Sequence, residues 1–373
     1  MKILYAYRYG ILGGVCTQIW NRLRRLSQHQ NCEVHCAFRT DYGVSRFLNS
    51  YATLHFGIDA NALLKLTQKY SYDSVIVIDT PEYFEAIGRD HGRDYAFVAE
   101  VHTSIANNLS YLDDRSWAPD RFVVPSRYMK DLLTSQFLSD AEEVHICANS
   151  LDMALFQKTA PKFQTNAPVV LWVGKIDDHK DWRSFLTLCY NLTSSGMAFD
   201  IWMVGGETCS PAVALDLLNF ADSLNLLDRL RWIDRVEHDV MPEIYSAVSD
   251  SGGLSVATTH NESFGMSILE ALCCGCPVVA TEVGAIPEFK LGRNGSYLRL
   301  YALGDLQKAA DHAADLLTEQ TATAARVALA TDRDLFVERF GIKNATDRYL
   351  ETLQVIRQNR PQKAEAGSQL ASS

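Results

Sequence analysis

The chain has 373 residues, of which 47% are apolar and 21% charged, and its net charge is −10. That length suits one or two domains with a sizeable core. The acidic balance excludes a general nucleic-acid binder, which requires a basic stripe.

Residues 2–6 read as a first apolar strand. A turn with Gly10, Gly13 and Gly14 follows, and residues 15–28 have helical spacing, with Val15, Ile19, Leu23 and Leu26 along one side. Strand, glycine turn and helix in this order open a Rossmann-like half, with its ligand at the C-terminal end of the strand. The glycines form neither a Gly-x-Gly-x-x-Gly fingerprint nor a P-loop, which disfavours a dinucleotide oxidoreductase. Arg22, Arg24 and Arg25 make the first helix basic. They read either as a solvated face or as a patch making weak peripheral contact with an anionic membrane surface. Residues 1–160 hold 16 Lys+Arg against 18 Asp+Glu, so the acidity lies mostly downstream.

Further strands are expected over residues 33–38, 74–78 and 96–101. Asp79-Thr80-Pro81 follows the second of these and His102-Thr103-Ser104 the third, both at strand ends where ligand loops gather. His102 has an ordinary reading as a loop residue hydrogen-bonded to backbone. In the strand-then-helix unit over 122–129, Ser126 is a natural N-cap. Periodicity fails between residues 157 and 168, where KTAPKFQTNAP is polar and holds two prolines. This is the expected domain boundary.

A second α/β set begins with a strand over 169–173. It runs into Gly174-Lys175-Ile176-Asp177-Asp178-His179-Lys180, where two lysines five apart are placed to reach a diphosphate. The adjacent Asp177 and Asp178 read as loop charges. A strand over 200–204 leads to Gly205-Gly206, then to a helix with Leu215, Leu218 and Leu224. A strand over 230–233 ends at Asp234-Arg235-Val236, and a short helix over 241–247 precedes a strand over 253–257.

The stretch NESFGMSILEALCCGCPVVATEVGAIPE, residues 261–288, carries the clearest chemistry. Glu262 precedes a turn at Ser263, Phe264 and Gly265. A helix is expected over 266–274, stopped by Gly275 and Pro277, and a buried strand over 278–280. Glu270 lies about one turn inside that helix. A helix N-terminus presents unpaired N–H groups and partial positive charge, which suits phosphate. Glu270 can accept from vicinal hydroxyls, and Glu262 from a second polyol or against developing positive charge. Both also read as caps or solvated helix residues. Cys273, Cys274 and Cys276 lack a second pair at zinc spacing and read as small buried residues.

Asn294-Gly295 marks a turn, residues 306–317 are amphipathic, and residues 336–358 read as terminal helices. Residues 360–373 are polar and expected to be disordered. MKILYAYRYG lacks the apolar run of a secretory leader, and no stretch reaches the ~18 apolar residues of a membrane span. Nine cysteines without a regular framework point to reduced thiols and a cytoplasmic protein.

The order Glu, Phe-Gly, Glu-Ala, Cys-Gly-x-Pro-Val-Val-Ala and Gly-x-Ile-Pro-Glu resembles the Glu-x7-Glu signature of retaining glycosyltransferases of family 4. The likeness is marked over residues 169–300 and fainter over 1–130. It implies an α/β protein of GT-B architecture, two Rossmann-like domains facing a cleft. The implied division is an acceptor-binding domain over 1–160, a nucleotide-sugar-binding domain over 168–335, and helices over 336–359 that cross back. It implies transfer of a sugar from a UDP- or GDP-linked donor to a glycan, lipid or small-molecule acceptor, with retained configuration and no metal or other cofactor.

By the same resemblance, His102, Lys175, Lys180 and Glu262 are the catalytic candidates. Gly13, Gly14, Ser263, Phe264, Gly265, Met266, Ser267, Glu270 and Arg235 are the donor-binding candidates. Lys175 stands where the family usually has Arg, which keeps the charge but loses the bidentate fork. An epimerase of the same fold and a catalytically degenerate sugar-nucleotide-binding protein are the alternatives.

Overall fold

The computed structural model describes residues 1–360, apart from 12, 114–116, 139, 161, 163, 164, 208 and 294. Apolar runs bounded by glycine, proline and small polar residues form thirteen strands among these residues, and the central ones are buried on both faces. The first sheet comprises β1 (Lys2–Gly10), β2 (Glu33–Asp41), β3 (Thr53–His55), β4 (Ser74–Ile78), β5 (Ala96–Glu100), β6 (Arg121–Val124) and β7 (Val144–Ile146). Its order is β3-β2-β1-β4-β5-β6-β7, parallel throughout. Helices α1 (Gly14–Leu26), α2 (Ser45–Leu48), α3 (Ala60–Lys69), α4 (Pro81–Gly88) and α5 (Arg127–Gln136) belong to it.

The second sheet comprises β8 (Val169–Val173), β9 (Asp200–Val204), β10 (Leu230–Ile233), β11 (Leu254–Ala257), β12 (Val278–Thr281) and β13 (Leu298–Tyr301), in the order β10-β9-β8-β11-β12-β13. Around it lie α6 (Trp182–Ser194), α7 (Pro211–Ser223), α8 (Met241–Asp250), α9 (Met266–Cys273), α10 (Leu306–Leu316) and α11 (Glu319–Phe340); α12 (Ile342–Gln358) closes the chain. Strand order reverses between β1 and β4 in one sheet and between β8 and β11 in the other. Loops diverge at such points, and a crevice opens at the strand C-termini.

Most strand positions match the sequence reading; several boundaries do not. β1 continues past Ala6 to Gly10 because β2 pairs with it that far, Gly10 opposite Asp41. The helix carrying Phe336 begins at Glu319, and Phe336 and Phe340 lie in the second core. Leu151 and Phe156 already lie in that core, ahead of the polar segment expected to divide the domains. The two crossings lie side by side: Leu151 N–H donates to Phe340 O at 2.8 Å, and Ile342 N–H to Leu151 O at 3.2 Å. Beyond them α12 packs on the first domain, burying Tyr349, Leu353 and Ile356 among Leu23, Ile76 and Val98. Each such side chain contributes about 1.5–3 kcal/mol.

On α7 the buried face is Leu217 and Ala221, whereas Leu215 is 59% exposed and Leu218 is exposed too. Of the leucines read from the sequence, Leu215 and Leu218 face outward, while Leu224 packs partly buried against the second core. Asn294 of the expected turn lies outside the described residues, as does the expected tail beyond Arg360. Arg360 itself donates to Arg93 O at 2.7 Å. No helix among the described residues is long and apolar enough to cross a membrane.

Candidate active site

Strand ends of both sheets meet at the crevice. From the second domain, β8 delivers Gly174 and the loop to α6. Asp177 accepts from Lys180 N–H at 2.9 Å, which folds the loop back on itself. The Thr258 hydroxyl donates to Lys180 O at 3.0 Å and Asp181 O at 2.8 Å, tying this loop to the end of β11. The result brings the Lys180 ammonium onto the Glu262 carboxylate. Lys175 is exposed and has no side-chain partner among the described residues, so the two lysines occupy different environments.

The backbone around Glu262 is fixed on both sides. Its N–H donates to Asn261 Oδ1 at 2.8 Å, and its carbonyl accepts from Ala285 N–H at 2.9 Å. Gly284 makes that approach possible: at φ +55°, an added Cβ there would stand 2.2 Å from Glu262 O. Gly265, at φ +97°, is the N-cap of α9 and supplies no side-chain cap. The Met266 and Ser267 N–H groups therefore have no acceptor among the described residues, the arrangement that favours an anion.

Two donor-site expectations change here. The Phe264 ring is not at the crevice surface; it is buried in an aromatic cluster with Phe289 and Phe340, at 5.3 and 5.6 Å between ring centres. Glu270 is largely enclosed, with its side chain 10% exposed. It lies within 3.3 Å of the Tyr245 hydroxyl and 3.5 Å of His238 Nε2. Burial would lower the His238 pKa, but the Glu270 carboxylate outweighs it and holds it above the ordinary histidine value. Arg235 follows β10 as expected, with its guanidinium exposed and paired to Glu207 and Glu237 at 2.7 and 2.8 Å. Cys273, Cys274 and Cys276 are buried in the second core.

The first domain supplies the opposite wall. Gly13 caps α1, and a Cβ on Gly13 or Gly14 would meet only open space. His102 follows β5 and turns its Nε2 inward to Glu100, 2.6 Å away. Its backbone N–H donates to the Asp79 carboxylate at 3.1–3.2 Å. Burial pushes the Asp79 carboxyl up to about 6, against the pull of His102.

Arg22 overturns the basic-patch reading of α1. It is 2% exposed, paired to Glu100 at 2.6 Å, with its guanidinium 3.9 Å from the centre of the Tyr349 ring. Arg24 pairs with Asp152, and Arg25 donates twice to Asp347 at 2.8 and 2.9 Å. Arg22 is therefore not available to a membrane surface, while Arg24 and Arg25, with side chains 33% and 22% exposed, are paired at the surface.

Cross-domain hydrogen bonds bring the walls together. Asn261 Nδ2 donates to Ser104 O at 3.3 Å and to Tyr128 Oη at 2.9 Å, so the loop after His102 lies against the loop bearing Glu262. The Ser126 hydroxyl caps α5 and donates to Ser263 O at 2.7 Å. Gln18 Nε2 lies 3.3 Å from Met266 Sδ. A cavity of about 570 Å³ opens farther along the same seam, lined by Ser126, Phe264, Glu288, Arg339 and Arg348. Sequence reasoning missed Glu100, Tyr349, Asn261 and His238. Glu100 left a trace, a lone charge ending the apolar strand AFVAE.

The chemistry available is that of a polyanion site: ammonium groups and free backbone N–H groups on one wall, carboxylates and an imidazole for hydroxyls on both.

Comparison with known proteins agrees with this geometry. Residues 167–319 match the family model described as Glycosyl transferases group 1. The D-inositol 3-phosphate glycosyltransferase of Mycolicibacterium vanbaalenii is 25% identical over 230 residues, 57% of this chain and 49% of that protein. That of Rhodococcus opacus is 25% identical over 251 residues, 64% of this chain and 54% of that protein. The chain thus spans about half the length of these relatives. The Anabaena Alr3699/HepE structure in complex with UDP superposes with a TM-score of 0.79 at 19% identity, covering 95% of this chain and all (100%) of that one. Sucrose-phosphate synthase from Thermosynechococcus elongatus gives 0.77 at 16% identity, covering 96% and 99%. Two parallel-sheet α/β domains and these neighbours establish the GT-B fold.

Proposed function

We propose that this chain is a retaining glycosyltransferase that moves a sugar from a nucleotide-sugar donor to an acceptor hydroxyl. The observation that carries the reading is the Lys180–Glu262 pair beside the uncapped N-terminus of α9, at the strand reversal of the second sheet. The group 1 match over this same region supports it, as does the UDP held by a structural neighbour. UDP-linked donors are the first to test, GDP-linked donors the second.

In this reading the diphosphate lies on Lys180, Lys175 and the N–H groups of Met266 and Ser267, near Gly13 and Gly14. A phosphate entering the site competes with Glu262 for Lys180, freeing Glu262 for the sugar. The ribose hydroxyls reach Glu270 at the lone pairs that His238 and Tyr245 leave free, since a carboxylate has about four acceptor sites. The Arg235 segment lies beside the base. His102 contacts the sugar from the first domain, and the acceptor docks there too.

The acceptor oxygen attacks the anomeric carbon on the face from which the diphosphate leaves. The bond from that carbon to the phosphate oxygen breaks with its electron pair going to phosphate, and the acceptor's proton passes to a phosphate oxygen. The lysines and the helix N-terminus offset the charge that builds up on the leaving group, so no metal is required. Nine free thiols support a cytoplasmic location.

The test is a panel of UDP- and GDP-sugars followed by thermal shift. A true donor at a hundredfold excess over its Kd adds about 2.7 kcal/mol of stability. Nucleotide release must then depend on an acceptor, and the product must keep the anomeric configuration. Conversion of donor without acceptor would make the protein an epimerase, and no stabilisation by any member of either panel would sink the reading.

A further inference from the structure

Glu100 ends β5 and is 1% exposed. Its Oε1 accepts from Arg22 Nη1 and faces His102 Nε2, both at 2.6 Å, and its Oε2 accepts from the Tyr349 hydroxyl at 2.9 Å. Burial alone would raise its pKa, but the charge of Arg22 and the contact with His102 outweigh burial and hold it at about 2. The carboxylate is therefore ionised. An ionised oxygen so close to Nε2 requires the proton to lie on Nε2, since two lone pairs face to face repel. Whenever the ring is neutral its free lone pair lies on Nδ1, which has no partner among the described residues.

The other end of the residue is equally constrained. Asp79 holds the His102 N–H, and the Tyr111 hydroxyl donates to Asp79 at 3.2 Å. The titratable and charged groups around the ring thus come from five elements or their ends: Arg22 on α1, Asp79 after β4, Glu100 on β5, Tyr111 in the 3-10 turn Ala106–Leu112, and Tyr349 on α12.

We propose that Glu100 is a positioning residue that fixes His102 as the Nε2-protonated tautomer, so that Nδ1 accepts a hydrogen bond from a sugar hydroxyl in the crevice. The inference rests on the reading of His102 as a sugar contact. It narrows that contact to a hydroxyl, because a lone pair on Nδ1 repels a carbonyl or phosphate oxygen. One of the three hydrogen bonds on Glu100 comes from α12, so the helix that crosses back from the second domain takes part in setting the imidazole.

The imidazole nitrogens of the wild-type protein, resolved by nitrogen NMR and assigned by comparison with His102→Gln, test the tautomer without any substrate. In the neutral ring a protonated Nε2 and an unprotonated Nδ1 are expected; a neutral ring protonated on Nδ1, or an even mixture of the two tautomers, overturns the proposal. Turnover adds a second readout. Glu100→Gln lowers kcat about 10²-fold and Tyr349→Phe about tenfold, each at near-constant donor KM, with the tautomer ratio shifting in the same order. Loss of stability with an unmoved tautomer ratio in Tyr349→Phe overturns the role of α12. If no nucleotide sugar is turned over, the transferase reading fails, while the wild-type spectrum still decides the tautomer.

Discussion

Each wall of the crevice carries a carboxylate–cation pair, and the two are built differently. Glu100 and Arg22 are 1% and 2% exposed, and Glu100 takes hydrogen bonds from three side chains. Glu262 and Lys180 sit on loops, with side chains 14% and 25% exposed, and hold chiefly each other. A buried pair cannot exchange partners without stranding a charge in the interior. A partly solvated pair can, because water and incoming ligand atoms replace what is lost. The first pair therefore behaves as scaffolding and the second as a site that opens to an anion.

The sharpest way to break this comparison is to remove the cation from each pair. Arg22→Met leaves Glu100 buried without its main partner and is expected to cost about 3–5 kcal/mol in urea unfolding. Lys180→Met should cost about 0–1 kcal/mol. Equal losses would erase the distinction.

Activity should reverse the ranking. Lys180→Ala lowers kcat about 10²–10³-fold with the identified donor, the size expected for one fixed donor to a developing anion. Unchanged turnover would remove Lys180 from the site.

Acid titration separates the pairs in another way. The Glu100 pKa is depressed in the folded protein to about 2 from an ordinary 4.5. Its stabilisation is present above the unfolded value and lost as pH falls through the folded one, a contribution of about 3 kcal/mol disappearing between pH 5 and 2. The unfolding free energy of the wild type against pH should show this loss, and Glu100→Gln should flatten it.

The smallest effect is expected away from both walls. Leu215→Ser on the outer face of α7 should change stability by no more than about 0.5 kcal/mol, whereas Leu217→Ala one turn-face away should cost about 2–5 kcal/mol.

Most of the second domain's wall was legible in sequence because it is locally encoded. Glu262, the turn at Gly265, α9 and β12 are consecutive, and the loop from Gly174 to Lys180 is a single strand-to-helix connection. The misreadings share a cause. Arg22 looked like one of three surface charges because its partner Glu100 lies 78 positions away. The partners of Glu270 were hidden because His238 and Tyr245 arrive from other segments. Phe264 looked like a ligand contact because its neighbours Phe289 and Phe340 are contributed by the Gly284 loop and by α11.

By itself, the sequence determined most of the strands and helices and the gathering of charged residues at strand ends. These follow from periodicity, turn residues and chain order, which act over a few residues at a time. Only the tertiary structure decided which charges are spent and which remain available. Tyr349 reaches Glu100 across 249 positions, and that contact exists only because α12 crosses back over the first domain. Charge pairing depends on distance and on exclusion of water, and neither quantity exists until the domains have packed.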